Sequence, residues 1–240
     1  MSGASAVVQW TSGWRHVFKA DPDKELADET LEALCTSGTD AIIVGGSCGI
    51  TYDNTVDLLS RIRRYETACV LEVSSMDAVV PGFDGYLIPV VLNTPDSDYI
   101  VGHHQRALRK YANVIPWDRI AAEAYIILNP DCTAARVSSA RTELDAVDVT
   151  AYARVADRLL GLPLIYLEYS GAFGSMELVK QVKSALSGAQ LFYGGGIDGY
   201  AKASEAASAA DTIVVGNVIY TDPQAALDTV RAVREIDRKV

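Results

Sequence analysis

Short apolar runs alternate with amphipathic stretches along the whole chain. An apolar run of about four to eight residues between turn residues is typical of a buried strand, and apolar positions three and four apart are typical of a packed helix. The predicted strands are His16–Ala20, Asp40–Gly46, Ala68–Val73, Gly85–Leu92, Ala124–Leu128, Pro163–Tyr169, Leu191–Tyr193 and Thr212–Val215. The predicted helices are Leu26–Thr36, Asn54–Tyr65, Ser97–Asn113, Asp148–Leu160, Met176–Leu186, Tyr200–Ala209 and Pro223–Arg238. This alternation favours an α/β fold, a TIM (β/α)8 barrel of parallel strands.

One connection in this pattern is too short for a regular helix. Only Ser74–Asp84 separates the third and fourth predicted strands, and Pro81 and Gly82 lie within it. Proline breaks a helix because it lacks a backbone N–H and its ring clashes with the preceding turn. We therefore predict a modified barrel that lacks a regular third helix and has a groove in its side. A second stretch, Asn129–Asp148, is polar and irregular, which predicts a mobile loop at the active face.

Two consecutive strands near the C-terminus end in glycine. The sequence LFYGGGI (Leu191–Ile197) contains three glycines, and TIVVGN (Thr212–Asn217) contains one, Gly216. A glycine turn between a strand and a helix presents backbone N–H groups that stabilise an anion. In TIM barrels the loops after strands 7 and 8 frequently form a phosphate site. This pair of strands therefore predicts phosphate binding; the alternative is that the glycines only form turns.

Charged residues at the ends of two predicted strands are candidates for chemistry. Glu168 lies in an almost wholly apolar strand, where burial would raise its pKa and suit it to act as a general base. The alternative is a structural ion pair with an arginine from a neighbouring strand. Asp21 follows the first strand and is a candidate Mg²⁺ ligand, or else caps the next helix. Lys19 lies two residues earlier on the same face, which predicts a contact with phosphate.

Composition and charge narrow the class of protein. The chain has 240 residues, 49% hydrophobic and 22% charged, with no break in composition, so we predict a single domain over residues 1–240. A net charge of −10 without a basic stripe argues against a nucleic-acid partner. No apolar run approaches the roughly 18 residues of a membrane span, and the first residues do not resemble a signal peptide. We therefore expect a cytoplasmic protein. The four scattered cysteines indicate neither a zinc site nor a disulfide framework.

Several motifs, in order, resemble the geranylgeranylglyceryl phosphate synthase family, which includes the bacterial PcrB-type heptaprenylglyceryl phosphate synthases. The motifs are FKADP (Phe18–Pro22), SGTDAIIVGGS (Ser37–Ser47), VLEVSS (Val70–Ser75), VPGFDGYLIPVVLN (Val80–Asn93), YLEYSG (Tyr166–Gly171), LFYGGGI (Leu191–Ile197) and IVVGN (Ile213–Asn217). The resemblance implies a barrel without its third helix and a Mg²⁺-dependent prenyltransferase. Such an enzyme moves a long prenyl chain from its diphosphate to the 3-hydroxyl of sn-glycerol 1-phosphate. The resemblance also implies a homodimer that meets a membrane surface only transiently.

The same resemblance implies roles for individual residues. Glu168 and Tyr166 would be catalytic and meet the glycerol hydroxyls, while Asp21 and Ser47 would hold Mg²⁺. The residues implied to bind sn-glycerol 1-phosphate are Lys19, Tyr166, Leu167, Glu168, Tyr169, Ser170, Gly171, Gly196, Gly216 and Asn217. The prenyl chain would lie in the groove left by the absent helix.

The length of the prenyl chain is open at this stage. The family can close the groove with a bulky aromatic residue on the long helix, and this chain has the small Ala107 there, as in the longer-chain enzymes. The acidic, arginine-biased composition instead suggests a halophilic archaeon. For an archaeal member the resemblance implies the first ether bond of membrane lipids, so we expect geranylgeranyl diphosphate as the donor. Two other functions stay open because a phosphate site does not choose the chemistry. They are a phosphosugar isomerase or lyase on the same barrel and a non-catalytic phosphometabolite-binding protein.

Overall fold

A computed structural model describes residues 10–237 of the chain. Eight parallel strands pair in chain order and close a barrel. The strands are β1 His16–Ala20, β2 Ala41–Val44, β3 Ala68–Glu72, β4 Gly85–Val91, β5 Ile120–Ile127, β6 Leu164–Glu168, β7 Gln190–Gly194 and β8 Thr212–Val215. The helices are α1 Asp28–Thr36, α2 Tyr52–Ile62, α3 Gly102–Tyr111, α4 Thr133–Ser138, α5 Ala146–Arg154, α6 Met176–Ala185, α7 Tyr200–Ala207, α8 Val218–Thr221 and α9 Pro223–Asp237. The predicted α/β TIM barrel is confirmed.

Alternate residues of each strand divide the core into two layers, because successive side chains of a strand point to opposite faces. Val17, Ile43 and Phe192 lie in the cluster that fills the barrel interior. Phe18 and Ile42, one position along, pack outward beneath the helices. Both layers are apolar, so the strands appear in the sequence as nearly continuous hydrophobic runs. Within residues 10–237, no helix is both long and apolar enough to cross a bilayer.

The connection between β3 and β4 contains no regular helix. A single 3₁₀ turn, Met76–Ala78, takes its place. On the outer face of β4, Ile88 and Val90 are consequently only half-buried. The apolar surface that a third helix would cover is left as the floor of a groove, which confirms the prediction from the short spacing and from Pro81-Gly82.

Strand β5 and the long predicted helix Ser97–Asn113 differ from the predicted pattern. Strand β5 begins at Ile120, four residues before the predicted start at Ala124, because Ile120–Glu123 pair with β4 although Glu123 interrupts the apolar run. The predicted helix Ser97–Asn113 is divided, since Asp96 accepts a hydrogen bond from the backbone of Asp98 and starts a separate 3₁₀ turn before α3. Arg238, the predicted end of the last helix, lies outside the described residues, as do both ends of the predicted domain 1–240.

The stretch predicted as an irregular loop, Asn129–Asp148, contains a short helix and is tied to the barrel. Helix α4 begins at Thr133, where the Sγ atom of Cys132 accepts the backbone N–H of Ala135. The Asn93 side chain donates to the carbonyl oxygens of Ile127 and Arg141, at 2.7 and 2.9 Å. These hydrogen bonds tie the segment to the ends of β4 and β5. The stretch is therefore not irregular throughout, while its mobility stays a prediction.

Candidate active site

A cavity of about 1820 Å³ begins at the carboxyl ends of the strands and continues into the groove. Most of the residues singled out in the sequence line its polar end. They are Lys19, Asp21, Ser47, Tyr166, Glu168, Ser170, Gly171, Gly196, Gly216 and Asn217. The fold therefore gathers residues from β1, β2, β6, β7 and β8 at the end of the barrel where TIM-barrel enzymes carry their active sites.

Glu168 is buried at the end of β6 and points into this cavity. Burial raises the pKa of its carboxyl group to about 7, against the opposing effects of Lys19 and of a hydrogen bond from the backbone N–H of Ser170. Lysine 19, and not an arginine, supplies the positive charge that favours its ionised form. A carboxyl group with a pKa near neutrality can accept a proton at physiological pH, as a general base must.

Lys19 belongs to a buried network that the sequence did not reveal. Its Nζ atom lies 2.7 and 2.8 Å from the two carboxylate oxygens of Glu72 and 3.1 Å from the Tyr125 hydroxyl, which donates to Glu72 in turn. These three contacts occupy all three ammonium protons. Glu72 is the last residue of β3, and Lys19 is the second-last residue of β1. Their side chains meet that of Tyr125 from β5 only because the strands curve into a closed barrel. An acidic residue in the apolar run VLEV (Val70–Val73) was the available signal.

Glu123 is a second acidic residue that sequence reasoning missed. It points into the barrel from β5, is fully buried, and neither carboxyl oxygen has a hydrogen-bond partner among the described residues. Burial, followed by the charge of Glu72, holds the pKa of this carboxyl group well above its usual range. A neutral carboxylic acid is the form that such an interior stabilises, because an unpaired charge there is far more costly.

Tyr125 and Tyr166 stack beside the lysine. Their rings lie 4.6 Å apart with an interplanar angle of 7°, and Lys19 Nζ is 5.7 and 5.6 Å from the two ring centres. Burial raises the pKa of both phenols well above their ordinary value, so both remain hydroxyl donors at neutral pH. The Tyr166 hydroxyl extends over Gly194, where any Cβ would overlap it. Glycine at this position is therefore required by the tyrosine.

The turns after β7 and β8 leave backbone exposed to the cavity. Gly196 has φ of +59°, a left-handed conformation that favours glycine. At Gly216 a Cβ would meet no atom closer than the Lys19 carbonyl oxygen at 3.8 Å, so the space beside it is open. Asn217 is the residue before the short helix α8, and Lys24 Nζ lies 3.4 Å from its side-chain oxygen. Bare backbone beside a helix start and a lysine suits a phosphate group.

Asp21 and Ser47 lie together at the rim of the cavity. Asp21 is half-buried and directly abuts Gly46, where a Cβ would collide with its carboxylate. Helix α1 begins at Asp28 with Ala27 as its cap, so Asp21 does not cap it and that alternative is excluded. The residues 10–237 contain no cluster of three metal-ligating side chains. Mg²⁺ needs none, because it usually takes one or two carboxylates with substrate oxygens and water, and this pair fits that pattern.

Leu167 and Tyr169 lie on the other side of β6. Side chains alternate along a strand, and those of Tyr166 and Glu168 point inward. The side chains of Leu167 and Tyr169 therefore point outward. Leu167 is part of the outer core, and the Tyr169 ring packs 6.0 Å from that of Tyr193. Any contact that these two residues make with a ligand in the cavity is therefore made by their backbone.

The apolar end of the cavity is the groove between β4 and α3. Its floor contains Ile88, Val90 and the small Ala122, and Ala107 of α3 faces it from above. The groove continues past Ala107 as far as Val114 and Trp117, whose side chains are 75% and 57% exposed. It thus runs from the polar site to the molecular surface at the far end of α3, without a bulky side chain at position 107.

Comparison with known proteins identifies the family to which this arrangement of residues belongs. The model of the PcrB family matches residues 8–234, almost the whole chain. The chain belongs to the PcrB family. It is therefore a prenyltransferase of the type that acts on glyceryl phosphate, which confirms the resemblance stated from the motifs.

Two relatives and two solved structures show how near this PcrB-family chain is to characterised members. The heptaprenylglyceryl phosphate synthases of Bacillus cereus (strain G9842) and Geobacillus kaustophilus (strain HTA426) are each 54% identical to it over 223 residues, which cover 93% of this chain and 97% and 93% of theirs. The crystal structure of (S)-3-O-geranylgeranylglyceryl phosphate synthase from Thermoplasma acidophilum, in complex with sn-glycerol-1-phosphate, has a TM-score of 0.83 and 26% identity. It covers 98% of this chain and 99% of its own. The enzyme from Thermoplasma volcanium has a TM-score of 0.80 and 25% identity, and 96% of each chain is covered.

These comparisons do not support the archaeal, ether-lipid expectation. The relatives at 54% identity come from bacteria, whereas the archaeal Thermoplasma structures are 26% and 25% identical. Acidic composition reports on the surface and its solvent, and it does not distinguish these two branches of one family.

Proposed function

We propose that this PcrB-family protein is a heptaprenylglyceryl phosphate synthase, which joins heptaprenyl diphosphate to the 3-hydroxyl of sn-glycerol 1-phosphate. The observation that carries the proposal is the 54% identity, over nearly the whole chain, to enzymes of that name. The groove supports it, because the groove passes the small Ala107 and reaches the surface near Trp117. This replaces the geranylgeranyl donor that the composition favoured.

The glycerol phosphate is proposed to bind at the polar end of the cavity. The turns at Gly196 and Gly216 and the start of α8 at Asn217 receive the phosphate, while Tyr166 and Glu168 face the glycerol hydroxyls. The Thermoplasma acidophilum enzyme, whose fold is related, was solved in complex with sn-glycerol-1-phosphate, which supports this compound as a ligand of the fold. Ser170, Gly171 and the backbone of Leu167 and Tyr169 complete the proposed site.

Lys19 is proposed to contact the phosphate from the barrel interior. Its three ammonium protons are already directed at Glu72 and Tyr125, so a phosphate oxygen can accept a hydrogen bond from the ammonium group only when one of these contacts is exchanged. In the protein without substrate, Glu72 and Tyr125 hold the ammonium group at the base of the cavity. The exchange keeps the lysine paired with a negative group whether or not substrate is bound, which avoids an isolated buried charge.

Glu168 is proposed to act as the general base. The oxygen of the glycerol 3-hydroxyl forms a bond to C1 of the prenyl chain as the bond between C1 and the diphosphate oxygen breaks. The electron pair of the broken bond leaves with the diphosphate, and the hydroxyl proton passes to the Glu168 carboxylate. The pKa of about 7 gives this carboxyl group both a populated ionised form and sufficient basicity.

Asp21 and Ser47 are proposed to hold Mg²⁺ at the rim where the diphosphate would lie. When bound, the ion neutralises the departing diphosphate and so promotes cleavage of the allylic C–O bond. Asp21 contributes a half-buried carboxylate whose pKa is raised by burial despite the hydrogen bond from Asp23.

The groove is proposed to hold the prenyl chain and to select its length. Each buried CH₂ contributes about 0.8 kcal/mol, so a longer chain binds more tightly wherever the groove offers apolar surface for it. Ile88 and Val90 offer such surface beneath α3, and Val114 and Trp117 continue it beyond Ala107. A heptaprenyl chain, with seven isoprene units against four, makes use of that continuation.

The test is an assay with radiolabelled sn-glycerol 1-phosphate, Mg²⁺, and prenyl diphosphates of 20, 25 and 35 carbons. We expect the 35-carbon donor to have the highest kcat/KM and EDTA to abolish turnover. Glu168→Gln is expected to lower kcat by about 10²-fold or more, since it removes the base. A preference for the 20-carbon donor would contradict the proposed chain length, and turnover unaffected by EDTA would contradict the metal.

A further inference from the structure

Helix α3 is unusual among the helices around the barrel because it covers an open groove. None of its residues is fully buried. The side chains that face the groove, His104, Ala107 and Tyr111, are spaced like one face of a helix and are half-buried. Amphipathic helices of globular proteins normally bury their apolar stripe in the core. This helix instead has apolar surface that the protein leaves uncovered.

Several large apolar side chains are exposed along this helix and its flanks. The exposed fraction is 37% for Ile100, 59% for Val101, 39% for Leu108, 75% for Val114 and 57% for Trp117. Exposed apolar residues grouped along one segment of the chain mark an interaction site more often than scattered ones do. Tryptophan in particular is enriched at the boundary between a bilayer and water.

The charge of the same segment is opposite to that of the protein. The chain has a net charge of −10, yet residues 99–117 contain no aspartate or glutamate. The segment carries three basic residues, of which Arg109 and Lys110 are exposed and Arg106 pairs with the nearby Asp98 at 2.8 Å. A local positive charge on an acidic protein is complementary to an anionic surface, and each basic residue near such a membrane contributes about 1 kcal/mol of attraction.

We propose that this surface docks on an anionic lipid bilayer, from which the prenyl diphosphate enters the groove. The α3 surface consists of Ile100, Val101, Leu108, Arg109, Lys110, Val114 and Trp117. Apolar residues beside basic ones on a helix at the protein surface are the features of an interfacial helix. The apolar residues at its end also line the groove, so a chain leaving the bilayer would pass directly from lipid to groove. The origin of the donor rests on the proposed function, whereas docking does not.

The first experiment measures binding of the full-length protein to vesicles by flotation. We expect binding to phosphatidylglycerol vesicles, little binding to phosphatidylcholine vesicles, and release of the protein at about 0.5 M salt, where charge attraction is screened. Equal binding to both lipids, or binding to neither, would overturn the proposal.

A charge-reversal variant tests the α3 surface itself. Arg109→Glu combined with Lys110→Glu changes two exposed residues that do not line the groove, and should weaken binding to the anionic vesicles about ten-fold or more. Arg154→Glu with Lys180→Glu makes the same charge change at exposed positions on α5 and α6 and should bind like the wild type. Val101→Gln removes apolar contact without a charge change and should also weaken binding. Equal losses in the control variant would contradict the assignment of the surface, as would a changed oligomeric state, measured by sedimentation, in the α3 variant.

Turnover in two formats separates this inference from the proposed function. With the donor dispersed in detergent, the charge-reversal variant should match the wild type; with the donor in phosphatidylglycerol vesicles, its rate should fall about ten-fold or more. If the wild type shows no turnover in either format, the proposed function is contradicted while the vesicle-binding result stands. If it turns over but does not bind vesicles, docking alone is contradicted.

Discussion

Three carboxyl groups and one ammonium group share the interior of the barrel mouth. Glu72, Glu123 and Glu168 are buried, and Lys19 is the cation that acts on the ionisation of Glu123 and Glu168. Three ionised carboxylates beside one lysine would leave uncompensated charge in a medium of low dielectric constant. The structure distributes this cost by pairing Glu72 with Lys19, raising the pKa of Glu168, and keeping Glu123 neutral.

Glu168→Gln should stabilise the protein in alkaline solution while it removes activity. The pKa of Glu168 is about 7 in the folded protein against an ordinary value of 4.5, so wild-type stability falls as the pH rises from 4.5 to 7 and remains lower above it. Glutamine has no such ionisation, which predicts an advantage of up to about 3 kcal/mol at pH 8. Denaturant unfolding at pH 4.5 and 8 measures it. An advantage that is the same at both pH values would show that ionisation is not the cause.

Glu72→Gln should destabilise the free protein and make it respond more strongly to substrate. Removing the carboxylate leaves Lys19 without its ion-pair partner, with an expected cost of about 1–3 kcal/mol. A bound phosphate would supply the missing negative charge, so sn-glycerol 1-phosphate should raise the melting temperature of the variant more than that of the wild type. Glu66→Gln, at an exposed position, is the control and should change stability by less than about 0.5 kcal/mol. Equal shifts in variant and wild type would contradict a phosphate contact by Lys19.

Among the structural elements, the missing helix and α3 define the donor site together. The 3₁₀ turn Met76–Ala78 leaves the outer face of β4 open, and α3 covers the opening from a distance with the small Ala107 at its centre. The width of the groove therefore depends on one side chain of α3. A neighbouring alanine, Ala112, is exposed outside the groove and offers a matched position.

Ala107→Trp should shorten the chain that the enzyme accepts. The indole would fill the groove beneath α3, so kcat/KM for the 35-carbon donor should fall about 10-fold or more, while that for the 20-carbon donor changes little. Each buried CH₂ group contributes about 0.8 kcal/mol, so displacing a few of them from the groove is enough for a loss of this size. Ala112→Trp adds the same bulk outside the groove and should leave both values unchanged. If both donors lost activity equally in Ala107→Trp, general damage to α3 would explain the loss better than a length limit.

At the level of the whole molecule, the proposed phosphate site lies where the barrel closes. Strand β1 pairs with both β2 and β8, and Gly216 in the turn after β8 lies beside the backbone of Lys19 in β1. A ligand held by these turns joins the first and last parts of the chain. Its binding energy is therefore added to the stability of the entire barrel rather than to one segment.

The melting temperature should consequently report the stereochemistry of the glycerol phosphate. At a concentration of about 100 times its dissociation constant, sn-glycerol 1-phosphate should add about 2.7 kcal/mol to the free energy of unfolding. For a chain of this size that corresponds to a shift of roughly 5–10 °C. The mirror-image sn-glycerol 3-phosphate is the control and should give a much smaller shift at the same concentration. Equal shifts would indicate that the site recognises phosphate alone and would contradict the proposed contacts to the glycerol hydroxyls.

Much of the architecture follows from local pattern. The strands of four to eight residues appear in the sequence as apolar runs, and β1 and β8 occupy the predicted ranges because both of their faces are buried. Proline and glycine at positions 81 and 82 exclude a third helix through backbone chemistry alone. Glu168 and the glycine turns were identifiable for the same reason, since a carboxylate in an apolar strand and glycine after a strand are local departures from pattern. The roles carried over to all of the site residues, Glu168 and the glycines as well as Ser47, Ser170 and Gly171, remain predictions.

The network behind the site depends on contacts between distant strands. Glu72, Tyr125 and Lys19 belong to β3, β5 and β1, and no spacing along the chain indicates that the three side chains converge. Whether a strand residue faces the interior or the helices changes with a shift of one position, so the outward direction of Leu167 and Tyr169 required the register of β6. Local backbone preferences and the pattern of apolar residues can be read from the sequence, and they are enough to predict the barrel and its missing helix. The partners of each buried charge are set by closure and register, because these alone determine which side chains share the low-dielectric interior.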